Sequence, residues 1–115
     1  MYTIPQLKQL LKKSVKVKNQ LERSYIACNS TVYTEQNEEE LNDVKTFISY
    51  KIDLVNDIIF LISNFLKNKT TYSYEEFSSI IESYTRQFNS VCKDSRLKRL
   101  EQIYTRKINV QNTTL

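Results

Sequence analysis

The chain has 115 residues, 17 basic and 13 acidic side chains and a formal charge of +4, and it contains no glycine, no histidine and a single proline. The absence of glycine and the near absence of proline remove the usual punctuation of turns and strands, which predicts an all-α protein. Without histidine or a glycine-rich loop, the chain lacks the commonest general base, the commonest zinc ligand and the backbone cradle for phosphate. Its length suits one helical domain over residues 1–115 with one modest core, burying roughly 65% of the unfolded surface.

The first helix is expected from about residue 4 to residue 28. Thr3 is a suitable N-cap, and Pro5 falls in the first turn, where its missing N–H costs nothing. Ile4, Leu7, Leu11, Leu21 and Tyr25 recur at helical spacing, widened by Leu10, Val15 and Val17. Lys12, Lys16 and Arg23 fall on the opposite face. The stretch NSTVYT, residues 29–34, has cap-forming side chains and no periodicity, and is expected to be the first connection.

A long second helix is expected to form the centre of the fold. Asn37 followed by Glu38, Glu39 and Glu40 predicts its start, with carboxylates at the positive end of the helix dipole. Heptad spacing then runs through Leu41, Val44, Ile48, Val55, Ile58, Ile62 and Phe65 as far as Lys67, interrupted by Lys51. Ser73 with Glu76 predicts a capping box for a third helix whose buried face is Phe77, Ile81, Tyr84, Phe88 and Val91. Continuing that phase would bury Ser95 and Lys98, so the pattern breaks at residues 93–95. Asp94 can then cap a fourth helix with Leu97, Leu100, Tyr104 and Ile108 inward, or the third helix continues with a kink. The expectation is a small bundle of four helices, or three with a kinked last one, around a long central second helix.

Charge is segregated along the chain. Residues 1–23 carry six bases and one acid, residues 35–57 seven acids and two bases, and residues 93–107 six bases and two acids. Lys12, Lys16 and Arg23, together with Lys98, Arg99 and Arg106, form candidate partner-binding faces, which suit an acidic protein surface or nucleic acid. Phe60 projects among Ser49, Asp53, Asn56 and Asn64 on the polar side of the second helix, as an anchor for a partner or a residue covered by another helix. Lys51 inside the apolar seam, with Val55, Ile58 and Ile62, predicts a register-setting residue in a homodimer seam or a side chain that snorkels past the helix edge. Lys18 occupies a similar place in the first helix.

The catalytic candidates are thin. Asp53 with Asp57, and Glu39 with Asp43, stand one turn apart and could share magnesium, but such sites need acids from two helices and the third helix offers only Glu75, Glu76 and Glu82 near its start. Cys28 and Cys92 have no histidine to activate them and are expected to be reduced, since the N-terminus lacks the features of a secretory signal. The richest apolar run, residues 58–62, is too short to span a bilayer. The expectation is therefore an intracellular, non-enzymatic adaptor or regulatory protein that needs no metal or cofactor and docks a protein partner through helix faces. A nucleic-acid-binding regulator using the same basic faces is the alternative. The Asn-, Lys-, Ile- and Tyr-rich composition is compatible with an AT-rich genome such as that of a virus or phage.

Overall fold

The computed structural model describes residues 2–105 and residue 115, and among these it has four helices and no strand. They are α1 (Ile4–Asn29), α2 (Glu38–Leu66), α3 (Tyr74–Cys92) and α4 (Ser95–Tyr104). The all-α bundle predicted by the composition is what forms, with extents of 51 × 20 × 19 Å.

Each boundary has a local cause. Thr3 Oγ1 accepts the Gln6 N–H at 3.2 Å while Gln6 Oε1 accepts the Thr3 N–H at 2.8 Å, a reciprocal capping box ahead of Pro5. At the far end of α1, Ser30 Oγ and Thr31 Oγ1 donate back to the carbonyls of Ile26 and Ala27. α2 begins after Asn37 as expected, but Asn37 does not cap it with its side chain. Its Oδ1 instead accepts the Thr34 N–H at 2.8 Å and its Nδ2 donates to the Val32 carbonyl at 3.1 Å, so the amide folds the loop back on itself. α2 ends in a Schellman motif: Asn68 adopts φ 56°, Lys69 N–H reaches the Asn64 carbonyl at 2.8 Å and Asn68 N–H reaches Phe65 at 3.1 Å. In a chain without glycine, asparagine takes the left-handed position because its short polar side chain tolerates it best.

α1 and α2 pair as an antiparallel hairpin, with Leu7 packed near Ile58 and Ile62 at one end and Cys28 near Leu41 and Val44 at the other. Both helices present a seven-residue repeat to the seam. On α1 the buried positions are Leu7, Ser14, Leu21 and Cys28, with Val17 and Ser24 between. On α2 they are Leu41, Ile48, Val55 and Ile62, with Val44, Lys51 and Ile58 between. The serines are small enough to draw the two backbones together, and their cost is visible: Ser14 Oγ and Ser24 Oγ are buried without a hydrogen-bond partner among the described residues. Ile4 and Val15, expected on the buried stripe, are 42% exposed, because the seam follows the seven-residue repeat instead.

α3 returns along the second half of α2. Phe77 and Ile81 join Leu7, Ile58 and Ile62 in one core cluster, and the Phe77 ring stacks on Phe65 with centroids 4.1 Å apart. α4 lies across the first half of α2 and the end of α1. Its Leu100 shares the other core cluster with Leu21, Cys28, Leu41, Val44 and Ile48. Tyr84 and Leu115 border both clusters. Asn89 holds Leu115 by accepting its N–H at 2.8 Å and donating to its carbonyl at 3.0 Å.

The break between α3 and α4 falls where the apolar phase fails. Asp94 Oδ1 caps α4 by accepting the Leu97 N–H at 3.0 Å. Leu97 and Tyr104 are half-buried and Leu100 is buried, as the pattern predicted, while Ile108 lies outside the described residues.

Candidate partner-binding faces and the buried ion pair

The outer face of α1 is a ladder of cations. Lys8, Lys12, Lys16 and Arg23 are exposed, and none of them makes an ion pair with a described residue. Steps of four residues keep Lys8, Lys12 and Lys16 along one side of the helix, with roughly 6 Å between rungs. The one acid on this helix, Glu22, lies at the edge of the ladder and is 3.9 Å from Lys18. Lys18 is therefore a half-exposed edge residue, as a snorkelling side chain would be. Ile4, Val15 and Ile26 add exposed apolar surface to the same helix.

The basic residues of the last helix are placed differently. Lys98 is half-buried and Arg99 is exposed, while Arg106 lies outside the described residues. Arg96 is committed to Asp43 on α2 at 2.9 Å, a contact that raises its pKa above the usual arginine value. Tyr104 donates to Glu40 at 3.0 Å, and partial burial together with that acceptor pushes the phenol upward. Lys12 and Lys16 lie midway along the hairpin, whereas Arg23 belongs to the half of α1 whose Leu21 and Cys28 share a core cluster with Leu100 of α4.

Phe60 is 66% exposed on the outward side of α2, uncovered by any other helix. Its neighbours along that side, Asp53, Asn56 and Asp57, are exposed and polar. A phenyl ring left in water amid polar side chains contributes little to folding and offers an isolated apolar anchor.

Lys51 requires a correction. It does not snorkel to water, and it is paired within the chain: its Nζ donates to Glu101 Oε2 at 2.7 Å, with the two side chains only 6% and 7% exposed. The ammonium also lies 4.1 Å from the centre of the Phe47 ring, a cation–π contact in a desolvated place. Val55, Ile58 and Ile62, expected beside it in an intersubunit seam, are fully buried within the chain. The heptads are satisfied by α1, α3 and α4. Glu101 was missed because its partner is 50 positions away; the one available signal was that a lysine in a heptad seam demands a buried acid.

Both cysteines are thiols. Burial, reinforced by the Glu101 carboxylate, pushes Cys28 up to about 11, and burial likewise raises Cys92. Neither is poised as a thiolate nucleophile. Asp43 is taken by Arg96 and Asp53 and Asp57 are exposed; among the described residues no group of three or more metal-ligating side chains comes together. No helix among the described residues is long and apolar enough to cross a membrane. A cleft of about 390 Å³ opens between α1 and α3, edged by Gln6, Gln9, Leu10, Lys13 and Glu82. Tyr2 and Leu115 complete its lining. No family model matches the chain, and no curated protein or solved structure matches it.

Proposed function

We propose that this is a small non-enzymatic interaction module of the cell interior that docks a protein partner of acidic character through the outer face of α1, with Phe60 on α2 as a separate apolar anchor. The observation that carries this reading is the exposed cation ladder Lys8, Lys12, Lys16 and Arg23, which makes no ion pair with any described residue. Exposed Ile4, Val15 and Ile26 beside the ladder favour a protein over nucleic acid, since a phosphate backbone offers nothing to match apolar side chains. The raised thiols and the absence of histidine support binding over catalysis.

The test is cross-linking and affinity isolation from the native host, with and without nuclease, comparing the wild type with Lys12→Glu/Lys16→Glu/Arg23→Glu and with Phe60→Ala. All four positions are exposed, so both variants should keep their helicity and unfold within about 0.5 kcal/mol per substitution of the wild type. A nuclease-resistant protein partner should be lost from the charge-reversed variant. Binding of submicromolar affinity to a duplex at physiological salt, falling steeply as salt rises, would instead establish the nucleic-acid reading.

A further inference from the structure

We infer that α4 is an exchangeable arm, and that its docking surface on α2 accepts the α4 of a second copy of this chain once the backbone straightens at Asp94. This inference is independent of the partner reading above. Every polar contact that α4 makes to another helix goes to α2 among the described residues: Arg96 to Asp43, Glu101 to Lys51 and Tyr104 to Glu40. Leu100 and Glu101 are its only buried helical residues. The arm is held by one buried ion pair, buried Leu100, half-buried Leu97 and Tyr104 and rim contacts, and Leu115 further along the chain is tied to Asn89, so that tie exchanges with the arm.

The hinge is centred on one torsion. Lys93 lies in the right-handed region at φ −84° and ψ −5°, roughly 37° in ψ from the α-helical value, and Asp94 has a helical φ of −66° with ψ at 103°. A rotation of roughly 145° about that ψ brings Asp94 to helical values and fuses α3 and α4 into one helix over residues 74–104, roughly 46 Å long. No glycine or proline lies in that range to oppose it.

Helical phase then decides where the arm goes. At 100° per residue, the fused helix turns Leu97, Leu100, Glu101 and Tyr104 to the side opposite Phe77, Ile81 and Phe88. The latter stay buried on their own hairpin, so the arm's apolar face points away from it and cannot reach Lys51 of the same chain. Left behind is a groove with Leu41, Val44 and Ile48 around an ammonium that has lost its carboxylate. The surface that fits both the arm and the groove is the same pair on a second copy, exchanged about a two-fold axis. The Lys51–Glu101 pair is the address that fixes register and partner.

The experiment uses Lys51→Glu and Glu101→Lys as separate chains. Each alone places like charges between groove and arm. Mixed and co-refolded, the two chains regain both opposite-charge pairs only by exchanging arms. Native mass spectrometry and light scattering should show a 1:1 heterodimer with more helix than either chain alone, whereas Lys51→Glu/Glu101→Lys in one chain restores the pair internally. A mixture with no heterodimer, beside a folded double variant, overturns the inference. Asp94→Ala provides a second reading that leaves the pair intact: losing a cap is a factor of about five at each of two hinges, so its dimerisation constant should exceed the wild type's by about 25-fold. An Asp94→Ala chain no more dimeric than the wild type also overturns it.

Discussion

Replacing Lys51 by methionine isolates the charge of the buried pair, because methionine keeps nearly the same length beside Phe47 while leaving the Glu101 carboxylate without its cation. The wild-type contact is 2.7 Å between side chains only 6% and 7% exposed, so solvent cannot replace the lost ammonium. Removing one partner of such a pair costs about 3–5 kcal/mol. The destabilisation should therefore be about 3–5 kcal/mol at pH 7. Urea unfolding followed by circular dichroism measures this, and a domain of this size has the stability to remain folded, about 5–15 kcal/mol in total. Lys51→Met/Glu101→Leu should recover most of the loss, since apolar residues of similar volume commonly replace a buried pair without penalty. A cost below about 1 kcal/mol at pH 7 would refute the reasoning.

Phe88 is fully buried in the core cluster at the α4 end, and Phe88→Ala should cost about 3–5 kcal/mol in the same urea assay. Ser24→Ala removes a buried hydroxyl that has no partner among the described residues and should stabilise the protein by about 1 kcal/mol, read from the urea midpoint. Cys28, raised by burial to about 11, should resist alkylation at neutral pH unless the protein unfolds, and mass spectrometry of iodoacetamide-treated protein measures that directly. Because its native value lies above the ordinary thiol value of 9.0, the stability it contributes is present below pH 9 and lost between pH 9 and 11. Cys28→Ala should show a shallower fall in urea midpoint across that window than the wild type.

The parts of the fold governed by local rules were legible in the sequence. Thr3 with Pro5, Ser73 with Glu76 and Asp94 before Leu97 each mark a helix start, and each side-chain oxygen accepts the N–H three residues on. Asn37 escaped because its amide had two competing uses, and the loop carbonyl of Val32 and amide of Thr34 won over the helix end. Ser14 and Ser24 escaped because a hydropathy pattern scores serine as polar, whereas a close helix pair selects for size. The exposed cations of α1 were visible at 100° per residue. The pairing of Lys51 with Glu101 was not, since only the tertiary path of the chain brings α4 across α2.

The two uses of charge in this molecule follow from the same shortage of apolar surface. α4 has one fully helical turn's worth of buried side chains, too little to choose a register by hydrophobic contact alone, because apolar contacts are non-directional. A buried ion pair is directional: shifting α4 by one residue would strand two charges in the core, and the cost of stranding them exceeds anything a leucine could regain. Interior charge thus supplies specificity where area cannot. On α1 the situation is reversed, because the heptad of Leu7, Ser14, Leu21 and Cys28 already fixes the helix against α2 and its outward cations have no internal task. Neutralising Lys12 and Lys16 should accordingly leave the urea midpoint unchanged, whereas neutralising Lys51 should not. A chain in which both changes were equally harmless, or equally damaging, would contradict the division of labour between the inner and outer charges.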